Sequence, residues 1–355
     1  MYLACSWTWC IALFLPAILV ADVGPGAWLV FAICNIAGVM AMPFVVGSRE
    51  RSLAFVRRNG TACRVFSVVT ILCQAWFLGW AASRLAWPVA LVAAGGVAFL
   101  VAVRADRSWQ AAALVVMLAT LAVFAVYLWR APDVHLLTSL RDEFGWHPVA
   151  LYAVPLIAAG FVFSPYLDLT FHHAMQEAPR AAFTVAFPIL FGTMLLFSLA
   201  YRDDLVRIML APAGVAPVWL VPVLAVLILQ VGFTLVLHTR FLPPRNGIGI
   251  GLAIVAATAF AFVLGDTVVP TGRTLNEFVY RASIGFYGVL TPCWVWAAAF
   301  TDARPGMVAV GLASAALLVA ALPMLFVPGW LALYPAALVL MGLTRPLARL
   351  RPFLR

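Results

Sequence analysis

Side chains with chemistry to offer are scarce in the apolar stretches of this chain. The richest stretch is Gly160-Phe161-Val162-Phe163-Ser164-Pro165-Tyr166-Leu167-Asp168-Leu169-Thr170-Phe171-His172-His173. Asp168 is the one acid clearly inside a stretch long enough to cross a bilayer. A carboxylate there could hold a cation or a proton, or pair with a cationic solute. Pro165 lacks an N–H and crowds the preceding turn, so the carbonyl near Phe161 loses its partner. Ser164, Tyr166 and Thr170 place hydroxyls beside that break. A helix broken in mid-membrane, with carbonyls and hydroxyls at the break, is a recurring way to build a binding site. A proline kink satisfied by its neighbours, with Asp168 near the interface, is the competing reading. His172 and His173 end the segment, where a helix C-terminus favours cations; proton transfer is the alternative role.

A second candidate opens the chain: Ser6-Trp7-Thr8-Trp9-Cys10, then Pro16. Thr8 and Cys10 would give backbone and side-chain contacts on the first helix. Trp7 and Trp9 either flank a ligand or belong to an interfacial tryptophan belt. Asn35, Gln74, and Gln230 with Thr234 are lone polar groups of the kind that hydrogen-bond between helices. Gly285 to Pro292 is rich in glycine and proline and predicts another irregular helix. The six cysteines form no C-x-x-C pair and read as packing residues. The five histidines form no His-rich metal box and no His-Glu-x-x-His. Asp203-Asp204 lacks the further aspartates of a diphosphate site. An enzyme is therefore not expected, nor a cofactor, and a metal role is left unassigned.

The elements that must position these residues follow from composition. Of 355 residues, 65% are apolar and only 10% charged, with a mean hydropathy of +1.06. A soluble domain is nearer about half apolar and a quarter charged. The fold class is thus an all-α polytopic membrane protein embedded in the lipid bilayer. About twelve spans are expected: about 4–21, 27–47, 63–83, 87–103, 109–129, 148–171, 181–200, 217–238, 247–265, 279–300, 306–326 and 329–344. The first segment runs to Asp22 without a signal-peptidase-like site, so it is expected to stay as a span. All 22 basic residues are arginines. With the N-terminus inside, 15 of the 22 fall on the cytoplasmic side, and most acids fall on the other. The positive-inside rule then predicts both termini in the cytoplasm, in a bacterial inner membrane. The +9 charge is a topology signal and not a nucleic-acid patch. No protein partner is legible.

Spans one and six are both proline-interrupted and stand five spans apart, the positional signature of an inverted five-helix repeat. Three stretches carry a resemblance. Gly26-Ala27-Trp28 to Val46, the arginine-rich loop 49–64, and Val65 to Ala82 look like second and third core helices. Gly160 to Ala174 looks like a sixth helix, with Pro165, Tyr166 and Phe171 on its Pro, His and Phe positions. Ile284 to Pro292, with Asp302 to Gly306, looks like a tenth helix and the short turn after it. In these stretches the chain resembles the sodium/solute symporters, which share the LeuT-type five-plus-five inverted-repeat fold of the APC superfamily. The resemblance implies discontinuous helices one and six, repeats of about 3–130 and 147–302, and an extra helix pair at about 306–345. It also implies alternating-access transport of a small solute bound by Thr8, Cys10, Ser164, Tyr166 and Asp168, facing spans three, eight and ten. Coupling to Na+ or H+ would follow. The chain departs from the family in span eight, whose only hydroxyl between Trp219 and His238 is Thr234. That departure motivates a second expectation, a ligand sensor or partner subunit that no longer transports.

Overall fold

The computed structural model describes residues 1–85, 109–130, 150–210, 220–243, 247–269, 274–292 and 294–295. The spans expected at 87–103, 306–326 and 329–344 lie outside the described residues, as does the end of the tenth. Among the described residues the protein is helical throughout, apart from one isolated bridge between Val268 and Thr274. The helices are α1 (Tyr2–Thr8), α2 (Leu15–Val23), α3 (Pro25–Val45), α4 (Arg49–Ser83), α5 (Trp109–Arg130) and α6 (Ala150–Phe163). After them come α7 (Leu169–Glu177), α8 (Phe187–Ala200), α9 (Arg202–Leu210), α10 (Val221–Arg240), α11 (Gly247–Leu264) and α12 (Leu275–Gly285).

Six of the described helical segments are long and apolar enough to cross a membrane: α3, α4, α5, the stretch Ala182–Ala200, α10 and α11. A seventh span is counted if Tyr2–Thr8 and Ile11–Ala21, bent by 60°, form one crossing. The expected sixth span is split into α6, a short 3-10 turn at Ser164–Tyr166, and α7.

Prolines explain the irregular turns. Three segments are π-helical: Trp9–Phe14 and Phe286–Leu290 follow directly on α-helices, and Ala182–Ala186 opens the helix that α8 continues. Each ends two residues before a proline, namely Pro16, Pro188 and Pro292. A proline clashes with the carbonyl four residues back. Those carbonyls belong to Ala12, Thr184 and Gly288, all inside the widened turns. The wider π turn relieves the clash without ending the helix.

The chain folds as two compact units. One draws its described residues from Met1–Ala21, Ser67–Glu143 and Val185–Val279; the other draws them from Asp22–Phe66, Phe144–Thr184 and Tyr280 onward. In the first unit, α1 and the π turn after it form the core, packed against α5, α8 and α10. Phe14 sits edge-on to Phe77 at 4.8 Å and to Trp80 at 4.9 Å. Gln230 donates to Thr120 Oγ1 at 2.9 Å, the interhelical role expected of a lone amide. Helix α11 presents Ile248, Leu252, Val255 and Val263 outward, as a lipid-facing helix would.

In the second unit, α6 is gripped from two sides at glycines. A Cβ on Gly38 of α3 would lie 2.6 Å from the Val162 carbonyl. A Cβ on Gly160 would lie 2.8 Å from Gly288 Cα, in the last π turn. Without a hydrophobic drive between helices in lipid, such close backbone approach is what secures them. Phe31 and Phe161 pack edge to face beside the contact, 4.5 Å apart.

Candidate functional site

The sixth span breaks where Pro165 interrupts it. Pro165 cannot donate, and the chain tightens into a 3-10 turn in which Leu167 N–H donates to Ser164 O at 3.1 Å. Asp168 then takes an extended conformation (φ −80, ψ 117) and becomes the N-cap of α7. Its Oδ1 accepts from the Thr170 N–H and from the Thr170 hydroxyl, each at 2.7 Å. The side chain is fully buried. Two short donors and the N-terminus of a helix are what a buried carboxylate needs. Ser164 is also buried, and its hydroxyl donates back to Gly160 O at 2.6 Å. Tyr166 is buried.

The same break gives Tyr166 O an unexpected partner. Thr170 N–H, which a continuous helix would aim at that carbonyl, goes to Asp168 instead. His172 reaches back from α7, with Nε2 2.9 Å from Tyr166 O. A carbonyl only accepts, so Nε2 carries the proton. In the neutral ring Nδ1 is then an acceptor, 2.9 Å from Ser52 Oγ on α4. Gln176 donates to the same Ser52 oxygen at 3.2 Å. Phe55 stacks on the imidazole with centroids 5.0 Å apart. A line of polar groups thus runs from Gln176 through Ser52 and His172 to the carbonyl at the break. His173 is only half buried, so the structure separates two histidines that sequence treats as a pair.

The first span breaks without a charge. Thr8 is fully buried and donates to Ala4 O at 2.7 Å; Ser6 donates to Leu3 O at 2.9 Å. Cys10 lies in the π turn, and its side chain is outside what the structure describes. The Tyr201 hydroxyl donates to Leu13 O within that turn. Cys5 Sγ donates to Ala113 O at 3.2 Å. Thr234, the only hydroxyl of span eight and expected to bond between helices, donates instead to Gln230 O in its own helix at 3.1 Å.

Of the five expected site residues, Ser164, Tyr166 and Asp168 come together around one break in the second unit. Thr8 and Cys10 belong to the first unit. Sequence reasoning missed His172, Ser52 and Gln176 as one network. It also missed the capping role of Asp168, for which a signal existed: aspartate followed by an apolar run is a favoured helix start. No family model, curated protein or solved structure matches the chain.

Proposed function

We propose that this protein is an integral membrane protein of the secondary-transporter kind, moving a small solute by alternating access. One observation carries the reading: a fully buried carboxylate, Asp168, at the restart of a broken apolar helix. An acid inside a membrane protein is costly, and function is the usual reason to keep it. Asp168 would hold a cation or a proton, or pair with a cationic solute. The Ser164 and Tyr166 region would shape the site around it. The five-plus-five repeat, twelve spans and cytoplasmic termini belong to the same proposal.

The test is uptake into proteoliposomes across a panel of amino acids, nucleobases, sugars and quaternary amines. Asp168→Asn keeps an oxygen for the Thr170 N–H but removes the charge. Uptake should be abolished with folded yield unchanged; undiminished uptake removes Asp168 from the mechanism.

A second reading has its own support. The hydroxyls of Thr8, Ser164 and Thr234 all bond to carbonyls of their own helices. Each keeps its oxygen lone pairs, but Thr234 is the one hydroxyl that span eight, from Trp219 to His238, has to offer a sodium ion. That favours a protein that binds a solute without ion coupling, as a sensor or partner subunit. Saturable solute binding with no flux in the same liposomes would select it.

A further inference from the structure

The arginines at the start of α4 form a surface that neither the break nor its network uses. Arg49, Arg51, Arg57, Arg58 and Arg64 are all exposed. Within residues 49–64 only Glu50 is acidic. The spacing of seven puts Arg51 and Arg58 on one row of the helix; Arg57 and Arg64 flank the kink at Asn59, and Arg49 lies 3.9 Å from the Glu177 carboxylate. The other face is buried. Ser52 bonds to His172, Phe55 stacks on the same ring, and Ala62, Cys63 and Phe66 are buried further on. The helix is therefore anchored on one side and presents guanidinium groups away from it. Arg180 joins them: it is exposed, donates to Gly47 O at 3.1 Å and lies over the Phe44 ring.

The neighbouring surfaces set the depth of this band. On α3 the exposed residues are apolar up to Phe44 and Val45, where the chain turns through Gly47 at φ 83. On α4 they become apolar again from Val65, followed by Val68 and Leu72. The arginine stretch thus begins and ends where lipid-facing surface ends. Five exposed guanidinium groups do not enter hydrocarbon. The helix is also bent inside the stretch, with non-helical backbone at Asn59 (φ −109, ψ 19). So dense a run of charge fits the headgroup layer and not hydrocarbon.

We propose that this segment is a docking surface for anionic phospholipid headgroups of the leaflet on the arginine-rich side. Guanidinium forks match phosphate oxygens, and polybasic helices beside a span attract anionic lipid. The proposal is independent of transport. It is tested on the full-length protein in detergent by native mass spectrometry, with phosphatidylglycerol and phosphatidylcholine competing at equal concentration. Each basic residue near an anionic surface is worth roughly fivefold in binding. The native protein should retain phosphatidylglycerol at least about tenfold over phosphatidylcholine. Changing Arg49, Arg51, Arg57, Arg58 and Arg64 together to Gln should bring the two lipids within about twofold. The five-Lys variant should keep the preference, which separates lost charge from lost fold. Arg202→Gln with Arg207→Gln, on α9, should leave it unchanged. Equal retention by the native protein overturns the proposal. So does the same loss in the α9 variant, or full displacement of the lipid by millimolar inorganic phosphate.

Discussion

The two broken spans solve one problem by different means. In the first, the turns before Pro16 widen into a π segment, and the chain stays helical through a bend of 60°. Its polar atoms are neutral and bond within the helix or to neutral neighbours such as the Tyr201 hydroxyl. In the sixth, Pro165 ends the helix outright, and a charged residue starts the next one. A π bulge keeps most backbone groups paired, so neutral hydroxyls suffice to satisfy the rest. A full stop leaves a fresh helix N-terminus whose N–H groups seek an anion. The charge at the second break and its absence at the first follow from how far the helix is interrupted.

This contrast can be broken by mutation. The largest effect is expected from Gly160→Val, which forces a branched side chain against Gly288 backbone only 2.8 Å from the new Cβ. Overpacking of this kind should cost about 3 kcal/mol, read from denaturant unfolding in mixed micelles. A native midpoint would mean that α6 and the last π turn do not meet as described. Next is His172→Leu, which leaves the Tyr166 carbonyl and the Ser52 hydroxyl without their imidazole. The expected cost is about 2 kcal/mol, and a loss under about 0.5 kcal/mol would show that the network does not hold the break.

Tyr201→Phe tests the first break in the same assay. It removes one neutral hydrogen bond to Leu13 O and should cost about 1 kcal/mol. A penalty larger than that of His172→Leu would reverse the comparison. The smallest effect is expected from Thr8→Val, since the hydroxyl bonds only within its own turn; stability should change by less than about 1 kcal/mol. Its value lies in a parallel uptake measurement. Lost uptake with unchanged stability would make the first break a ligand site of equal standing with the sixth.

Much of this was legible in the residues. Pro16, Pro165 and the Gly285–Pro292 stretch mark three interruptions, and the structure places irregular turns at all three. The kind of interruption was not legible. Proline removes one donor and crowds one carbonyl in every case, and whether the helix widens or stops depends on what packs around it. At Pro165 the stop is accompanied by glycine contacts from α3 and from Gly288, on strands of sequence far from α6. The network at the sixth break was hidden for the same reason. Ser52 and His172 stand 120 residues apart, and Tyr201 and Leu13 stand 188 apart.

By itself the sequence determined the class of environment and the places where helices could not stay regular. So few charges over so many apolar residues admit a bilayer and little else, and a proline cannot donate wherever it sits. Only the tertiary structure decided which donor meets each displaced carbonyl, and that a buried aspartate caps a helix. Hydrogen bonds act over about 3 Å, and only folding brings residues a hundred positions apart within that reach.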